Sequence, residues 1–187
     1  LAMLCNSAFT PSASEPLPNI VYIMADDLGY GDLGCYGQKL IKTPHIDRLA
    51  ERGIRFTDFY AGSTVCAPSR CVLMTGLHTG HCFIRGNGKD NLRPEDVTVA
   101  EVLKRADYAT GQVGKWGLGH EGSTGLPTRQ GFDFFFVYLD QHHAHLFYPT
   151  FLVKNEKRVK LRNIVPDEGQ WGQGVASKKI DYSPALM

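Results

Sequence analysis

The strongest constraint on the fold is a seven-residue apolar run, Asn19–Ala25 (NIVYIMA), that ends on two adjacent carboxylates, Asp26 and Asp27. A short run rich in β-branched and aromatic residues suits a strand buried on both faces, the kind found in parallel sheets. A glycine-rich loop, LGYGDLGCYG, follows it. Further along, helix and strand signals alternate. Thr43-Pro44 opens a helix with Ile46, Leu49 and Ala50 on one face and Gly53 as its stop. Ile54–Tyr60 reads as a strand and Pro68–Thr75 as a short helix. Thr98 and Glu101 form a capping box for a helix to about Ala106. Ala109–Val113 reads as a strand ending at Gly114-Lys115, and Phe132–Leu139 is aromatic and strand-like. Phe151–Val153 and Arg158–Leu161 flank a hairpin turn at Asn155-Glu156-Lys157. This order predicts an α/β sheet with helices on its faces. In such folds ligands sit beyond the carboxyl ends of strands. Asp26-Asp27 and Lys115 both fall there.

Composition narrows the class. The chain has 187 residues, a net charge of +1 and 43% hydrophobic residues, enough for one domain with its own core. Near-neutral charge argues against a nucleic-acid partner. No apolar run approaches the roughly 20 residues of a membrane span. The five cysteines, Cys5, Cys35, Cys66, Cys71 and Cys82, form no CxxC pair, which speaks against a zinc knuckle. Residues 1–17 read as the remnant of an export signal or an N-terminal extension, and 18–187 as the folded part. Ser183 and Pro184 read as the N-cap and first residue of a further helix.

Two features carry chemistry. Paired carboxylates after a buried strand repel each other unless a cation compensates, and a hard cation such as calcium or magnesium takes oxygen ligands. The second feature is TVCAPSRCVLMTG, Thr64 to Gly76, with Cys66 just ahead of a helix start and Arg70 four residues on. A helix N-terminus favours an anion, although a buried cysteine near a cap is an equally ordinary reading. In QHHAH, Gln141–His145, three histidines lie close together, but H-H-x-H on a loop lacks a settled zinc geometry. Aromatics at Phe132–Phe136 read as core, and the basic Lys154–Lys160 stretch as a solvated hairpin. Whether Cys71 and Cys82 pair is open.

C-x-P-S-R with its L-M-T-G tail resembles the sulfatase maturation motif. The strand with D-D and G-Y-G-D, the T-P-H-I-D-R-L-A helix and G-K-W resemble that family in the same order, from about Pro18 to Leu161. The resemblance implies an alkaline-phosphatase-like α/β fold, a mixed sheet flanked by helices and truncated before its C-terminal part, that hydrolyses sulfate esters. It implies that Cys66 is converted to formylglycine by a formylglycine-generating or sulfatase-maturing enzyme. One hydroxyl of the hydrated aldehyde then attacks sulfur and expels the alcohol, leaving a covalent sulfate ester, and loss of a proton from the other hydroxyl re-forms the aldehyde and releases sulfate. By the same pattern Asp26 and Asp27, with the residue at Cys66, ligate Ca2+ (or Mg2+), and Arg70 holds the formylglycine hydroxyls. Lys115 binds sulfate, and His145, rather than His142 or His143, stands near the leaving-group oxygen.

Three departures from the family pattern stand out. Gly117 occupies a position where many members carry histidine, with His120 nearby. Asp107 stands where glycine is usual. The family's later Asp-Asn metal pair and second sulfate-binding lysine fall beyond position 187, so the isolated chain is expected to turn over little substrate. A phosphate or phosphonate ester hydrolase of the same superfamily and a non-catalytic pseudoenzyme are the alternatives. Substrates implied are a sulfated small molecule or a sulfated glycan, met in a periplasmic, extracellular or lysosomal-type compartment.

Overall fold

The computed structural model describes residues 17–167 and 174–187. The expected signal remnant at residues 1–17 lies outside the described residues except for Leu17. The chain divides into two compact units, one ending at Arg55 and the other starting at Phe56.

The first unit holds two single 3-10 turns, Tyr30–Asp32 and Gly34–Tyr36, and helix α1, Pro44–Arg52. Thr43 is the N-cap, Pro44 opens the helix and Gly53 ends it, as the sequence predicts. Asp47, the aspartate of T-P-H-I-D, reaches back to the glycine loop. Its Oδ1 accepts from the Cys35 N–H at 2.7 Å and from the Thr43 hydroxyl at 3.0 Å. Thr43 Oγ1 in turn accepts the Gly34 N–H at 2.8 Å. Two residues of the helix start thus satisfy two loop N–H groups. The expected strand at Asn19–Ala25 does not form. Its backbone pairs with no strand among the described residues, and Val21 and Ile23 are 82% and 85% exposed. A strand is a ladder, and its propensity alone supplies no second rail.

The second unit carries the sheet. Its elements are α2, Cys66–Thr75; α3, Val99–Arg105; β1, Gly111–Lys115; β2, Phe134–Tyr138; β3, Phe151–Lys154; and β4, Lys157–Lys160. Strand order is β1-β2-β3-β4, with β1 and β2 parallel and the other pairs antiparallel. The parallel pair needs a long crossover, supplied by Trp116–Asp133 with one 3-10 turn at Pro127–Gln130. The β3–β4 hairpin turns on Asn155 and Glu156, at φ 43° and 67°. Two left-handed residues in a two-residue loop match the right-handed twist of the strands. Here the expected hairpin is found. The expected strand at Ile54–Tyr60 is not, and its apolar side chains, Phe59 and Tyr60 among them, are exposed.

Strand β2 splits its side chains between two clusters. Phe135 and Val137 enter the larger core with Trp116, Leu118, Leu126, Ala67 and Cys71. Tyr138 packs on the other face with Leu152 and Leu161, against Phe136. Period-two alternation therefore works on a strand that reads as uniformly aromatic. Thr98 and Glu101 form the capping box, each side chain accepting the other's backbone N–H. At the other end of α3 the Tyr108 N–H meets the Leu103 carbonyl and the Asp107 N–H the Lys104 carbonyl, a Schellman motif. The left-handed residue it requires is Asp107, at φ 61°. This is why glycine suits that position.

Ser183 does not cap a helix. It lies inside a single 3-10 turn, Ser183–Ala185, with Tyr182 as N-cap. Its hydroxyl is fully buried, bonded to the Tyr138 hydroxyl and the Phe147 carbonyl, and so is committed to packing.

Candidate active site

Helix α2 starts at Cys66, two residues earlier than Pro68, with Val65 as N-cap. The start has no side-chain cap from Val65. Instead the Ala67 N–H donates to Asn87 Oδ1 at 3.0 Å, and Asn87 Nδ2 donates to Cys66 Sγ at 3.4 Å. Pro68 sits within the first turn, where its absent N–H costs no helical bond. At the far end Gly76, at φ 67°, returns its N–H to the Val72 carbonyl at 2.8 Å. The C-A-P-S-R-C-V-L-M-T-G string is thus one whole helix with its stop.

Arg70 is one helical turn beyond Cys66. Its Nη1 donates to the main-chain carbonyl of Lys115 at 2.8 Å. Gln112 Nε2 shares that carbonyl at 3.3 Å. Lys115 closes β1 rather than following it, since the strand runs two residues beyond the expected Val113. The ladder continues past it. Trp116 N–H donates to the Tyr138 carbonyl and Gly117 N–H to the Leu139 carbonyl, both at 2.9 Å. Trp116 is buried and its Nε1 donates to the Gly125 carbonyl at 2.7 Å. The G-K-W string is therefore anchored by a strand pair below and an indole above.

Gly117 has φ 75°. A Cβ there would lie 3.2 Å from Gln141 Oε1, 3.4 Å from Gln141 Cβ and 3.9 Å from Arg70 Cδ. Gln141, 3% exposed, thus fills the space beside position 117, and its Nε2 is buried without a hydrogen-bond partner. His120 does not take that place. Its Nδ1 is 3.8 Å from Asp140 Oδ2.

The histidine cluster separates. Asp140 Oδ1 accepts the N–H groups of His142 and His143, shaping the turn. His143 is buried, packed on Phe151 at 4.6 Å and edge-on to Tyr138 at 5.7 Å. His145 is exposed at the end of the 3-10 turn His143–His145. Asp26 and Asp27 belong to the first unit, both exposed, with Asp27 at φ 63°. Their oxygen donors fit a hard cation in chemical type. Among the described residues no group of three or more His, Cys, Asp or Glu side chains converges.

Cys35, Cys66, Cys71 and Cys82 are free thiols. Cys71 and Cys82 are fully buried, and burial pushes the Cys71 thiol up to about 11. Cys66 is only partly buried. Of the motif's two cysteines, Cys71 is committed to the core and Cys66 keeps partial exposure. Asn87 and Gln141 were not legible as site residues. Asn87 lies in I-R-G-N-G, which signals only a turn, and no sequence spacing ties Gln141 to Gly117.

The second unit is an α/β fold in which Arg70, one turn into the helix that starts at Cys66, is bonded to the Lys115 carbonyl at the end of a parallel strand pair. The sulfatase family model matches residues 18–166, and the chain belongs to the sulfatase family. It is 50% identical to human arylsulfatase A over 124 residues, covering 62% of this chain and 24% of that protein. It is 49% identical over 135 residues to an N-acetylgalactosamine-6-O-sulfatase of Bacteroides thetaiotaomicron, covering 64% and 26%. Among solved structures, one concerned with glycosaminoglycan metabolism by Bacteroides thetaiotaomicron superposes with a TM-score of 0.66 at 42% identity, covering 76% of this chain and 32% of the other. Another, bound to its substrate D-glucosamine-2-N,6-O-disulfate, gives 0.67 at 31% identity, covering 79% and 28%. These neighbours share the alkaline-phosphatase-like fold. The chain spans about a quarter of the length of the curated relatives it matches.

Proposed function

We propose that this chain carries the nucleophile-bearing part of a sulfatase that hydrolyses sulfate esters, with formylglycine made from Cys66. The observation that carries the reading is the placement of Cys66, partly exposed, at the start of α2, with Arg70 one turn on and bonded to the Lys115 carbonyl at 2.8 Å. Formylglycine, once made, supplies a hydrated aldehyde whose hydroxyl is the nucleophile and whose reversion expels sulfate. The remaining work belongs to the chain. The start of α2 presents a positive dipole end toward an anionic ester. Arg70 is assigned to the formylglycine hydroxyls at residue 66, and Lys115 to the sulfate oxygens. His145 is assigned to the proton on the leaving alcohol oxygen. Asp26 and Asp27 supply carboxylate oxygens for Ca2+ or Mg2+, which polarises a sulfate oxygen when bound.

A sulfated glycan or a smaller sulfate ester is the proposed substrate, and a formylglycine-generating or sulfatase-maturing enzyme the proposed partner. The proposed compartment is periplasmic, extracellular or lysosomal-type, in keeping with the export-signal reading of the N-terminal residues, where calcium is available and sulfated polymers are met. No helix among the described residues is long and apolar enough to cross a membrane.

The test is peptide mass spectrometry across Cys66 after co-expression with a maturing enzyme, with a hydrazide probe to trap the aldehyde. Conversion of thiol to aldehyde is expected and, in the protein that carries these residues, faster turnover of an aryl sulfate than of the matched aryl phosphate. A persistent thiol, with a control sulfatase converted in the same cells, sinks the mechanism. Aldehyde with preference for phosphate reassigns the chain to phosphoester hydrolysis.

A further inference from the structure

Asn87 touches both the backbone and the side chain of the motif's first turn. Its Oδ1 accepts the Ala67 N–H at 3.0 Å, and its Nδ2 donates to Cys66 Sγ at 3.4 Å. The first acts on an N–H that helix geometry leaves without an internal partner, where the N-cap Val65 offers no side-chain bond. The second reaches the reactive side chain. A carboxamide is planar, so fixing Oδ1 on the backbone also fixes the direction of Nδ2. The segment that carries Asn87 is itself held. Ile84 is buried in the larger core, and Arg85 donates to the Cys82 and Gly80 carbonyls at 3.0 and 2.9 Å.

The geometry points to Asn87 as the residue that orients the nucleophile at position 66, its Nδ2 donating to the attacking atom. This rests on the reading of Cys66 as a formylglycine precursor. The contacting atom is Sγ, which stands in for an oxygen of formylglycine, and both accept a hydrogen bond from an amide. The amide is neutral and does not titrate, so it takes no part in moving a proton. It restricts rotation of the residue 66 side chain and leaves its remaining face toward the ester. Orientation of this kind adds to rate rather than to ground-state binding.

One substitution separates the two ends of the amide. Asn87→Asp keeps an acceptor for the Ala67 N–H and removes the donor to residue 66, whereas Asn87→Ala removes both. The variants are compared, in the protein that carries these residues, by aldehyde fraction at residue 66, by kcat and KM on an aryl sulfate per aldehyde, and by melting temperature. A fourth readout needs no aldehyde: the rate of iodoacetamide alkylation of Cys66 in chains made without a maturing enzyme. Asn87→Asp is expected to melt near wild type and to lose kcat per aldehyde by roughly tenfold to a hundredfold. Its Cys66 thiol should alkylate several-fold more slowly. The proposal is overturned if kcat per aldehyde stays within about twofold of wild type and the alkylation rate is unchanged. Should Asn87→Asp unfold early, Asn87→Ser replaces it, since a serine hydroxyl can cap the helix but falls short of residue 66. A wild-type protein without aldehyde or turnover sinks the formylglycine reading instead. The alkylation rates then decide alone whether Asn87 governs residue 66.

Discussion

The guanidinium of Arg70 donates to the main-chain carbonyl of Lys115 at 2.8 Å, so the helix that starts at Cys66 is tied to the end of β1. The two residues are 45 positions apart. That one bond links the first turns of α2 to the strand end at Lys115. It also commits one guanidinium N–H to holding the scaffold.

Replacing Arg70 with lysine keeps the charge and loses the planar fork. Arg70→Lys is expected to destabilise the fold by about 1.5–3 kcal/mol, the worth of a hydrogen bond from a charged donor. Chemical denaturation checks the first figure, and aryl sulfate turnover should fall with it. A variant as stable and as active as wild type removes the Arg70–Lys115 tie from the account.

Gly117→Ala meets two obstacles. Its φ of 75° disfavours any Cβ, and that Cβ would press on Gln141 Oε1 at 3.2 Å. The backbone part alone is about 1–2 kcal/mol. Gly76→Ala is the control, because Gly76 also has positive φ but nothing within 4 Å of its Cβ. Gly117→Ala should cost more than Gly76→Ala, and Gln141→Ala should remove part of the excess. Equal costs at the two glycines would show that Gln141 yields freely.

Asp107→Gly should stabilise the chain. Asp107 is exposed, adopts φ 61° and closes the Schellman motif of α3 through its backbone alone. Glycine relieves about 1 kcal/mol of left-handed strain there. Thermal melting reads the gain. A drop in melting temperature would mean that the Asp107 side chain contributes more than its backbone loses.

Acid should loosen the contact between α3 and the start of β1. Asp133 accepts from Lys104 Nζ at 2.5 Å and from the Thr110 backbone at 3.0 Å. The Lys104 ammonium and the Thr110 donors hold its carboxyl at about 2, below the ordinary 3.8. A depressed folded-state value means the unfolded chain binds the proton more readily. The stabilisation is therefore fully present above pH 3.8 and is lost as pH falls toward 2. Asp133→Asn should flatten the stability profile across that window. An unchanged slope assigns the acid sensitivity elsewhere.

Much of the local architecture was legible because its signals act within a few residues. The Thr98–Glu101 box, the Thr43-Pro44 start, the Gly53 stop and the Asn155-Glu156 turn each depend on backbone dihedrals and near neighbours. Where a reading needed a distant partner, residue type was not enough. Asn19–Ala25 has the composition of a buried strand, yet no strand among the described residues pairs with it. His143 and His145 look alike in sequence, but one is packed between Phe151 and Tyr138 while the other is exposed.

By itself the sequence determined the family, the succession α2, α3, β1, β2 and the β3–β4 hairpin in the second unit, and the residues that carry charge and sulfur. Those follow from composition, spacing and backbone preference, all properties of contiguous chain. Only the tertiary structure decided that Cys66 opens α2 while Cys71 is buried, that Asn87 reaches Cys66 across 21 positions, and that Gln141 fills the space beside Gly117. Directed hydrogen bonds and packing contacts require atoms within a few ångströms of one another, and folding alone brings residues so far apart in the chain to that distance.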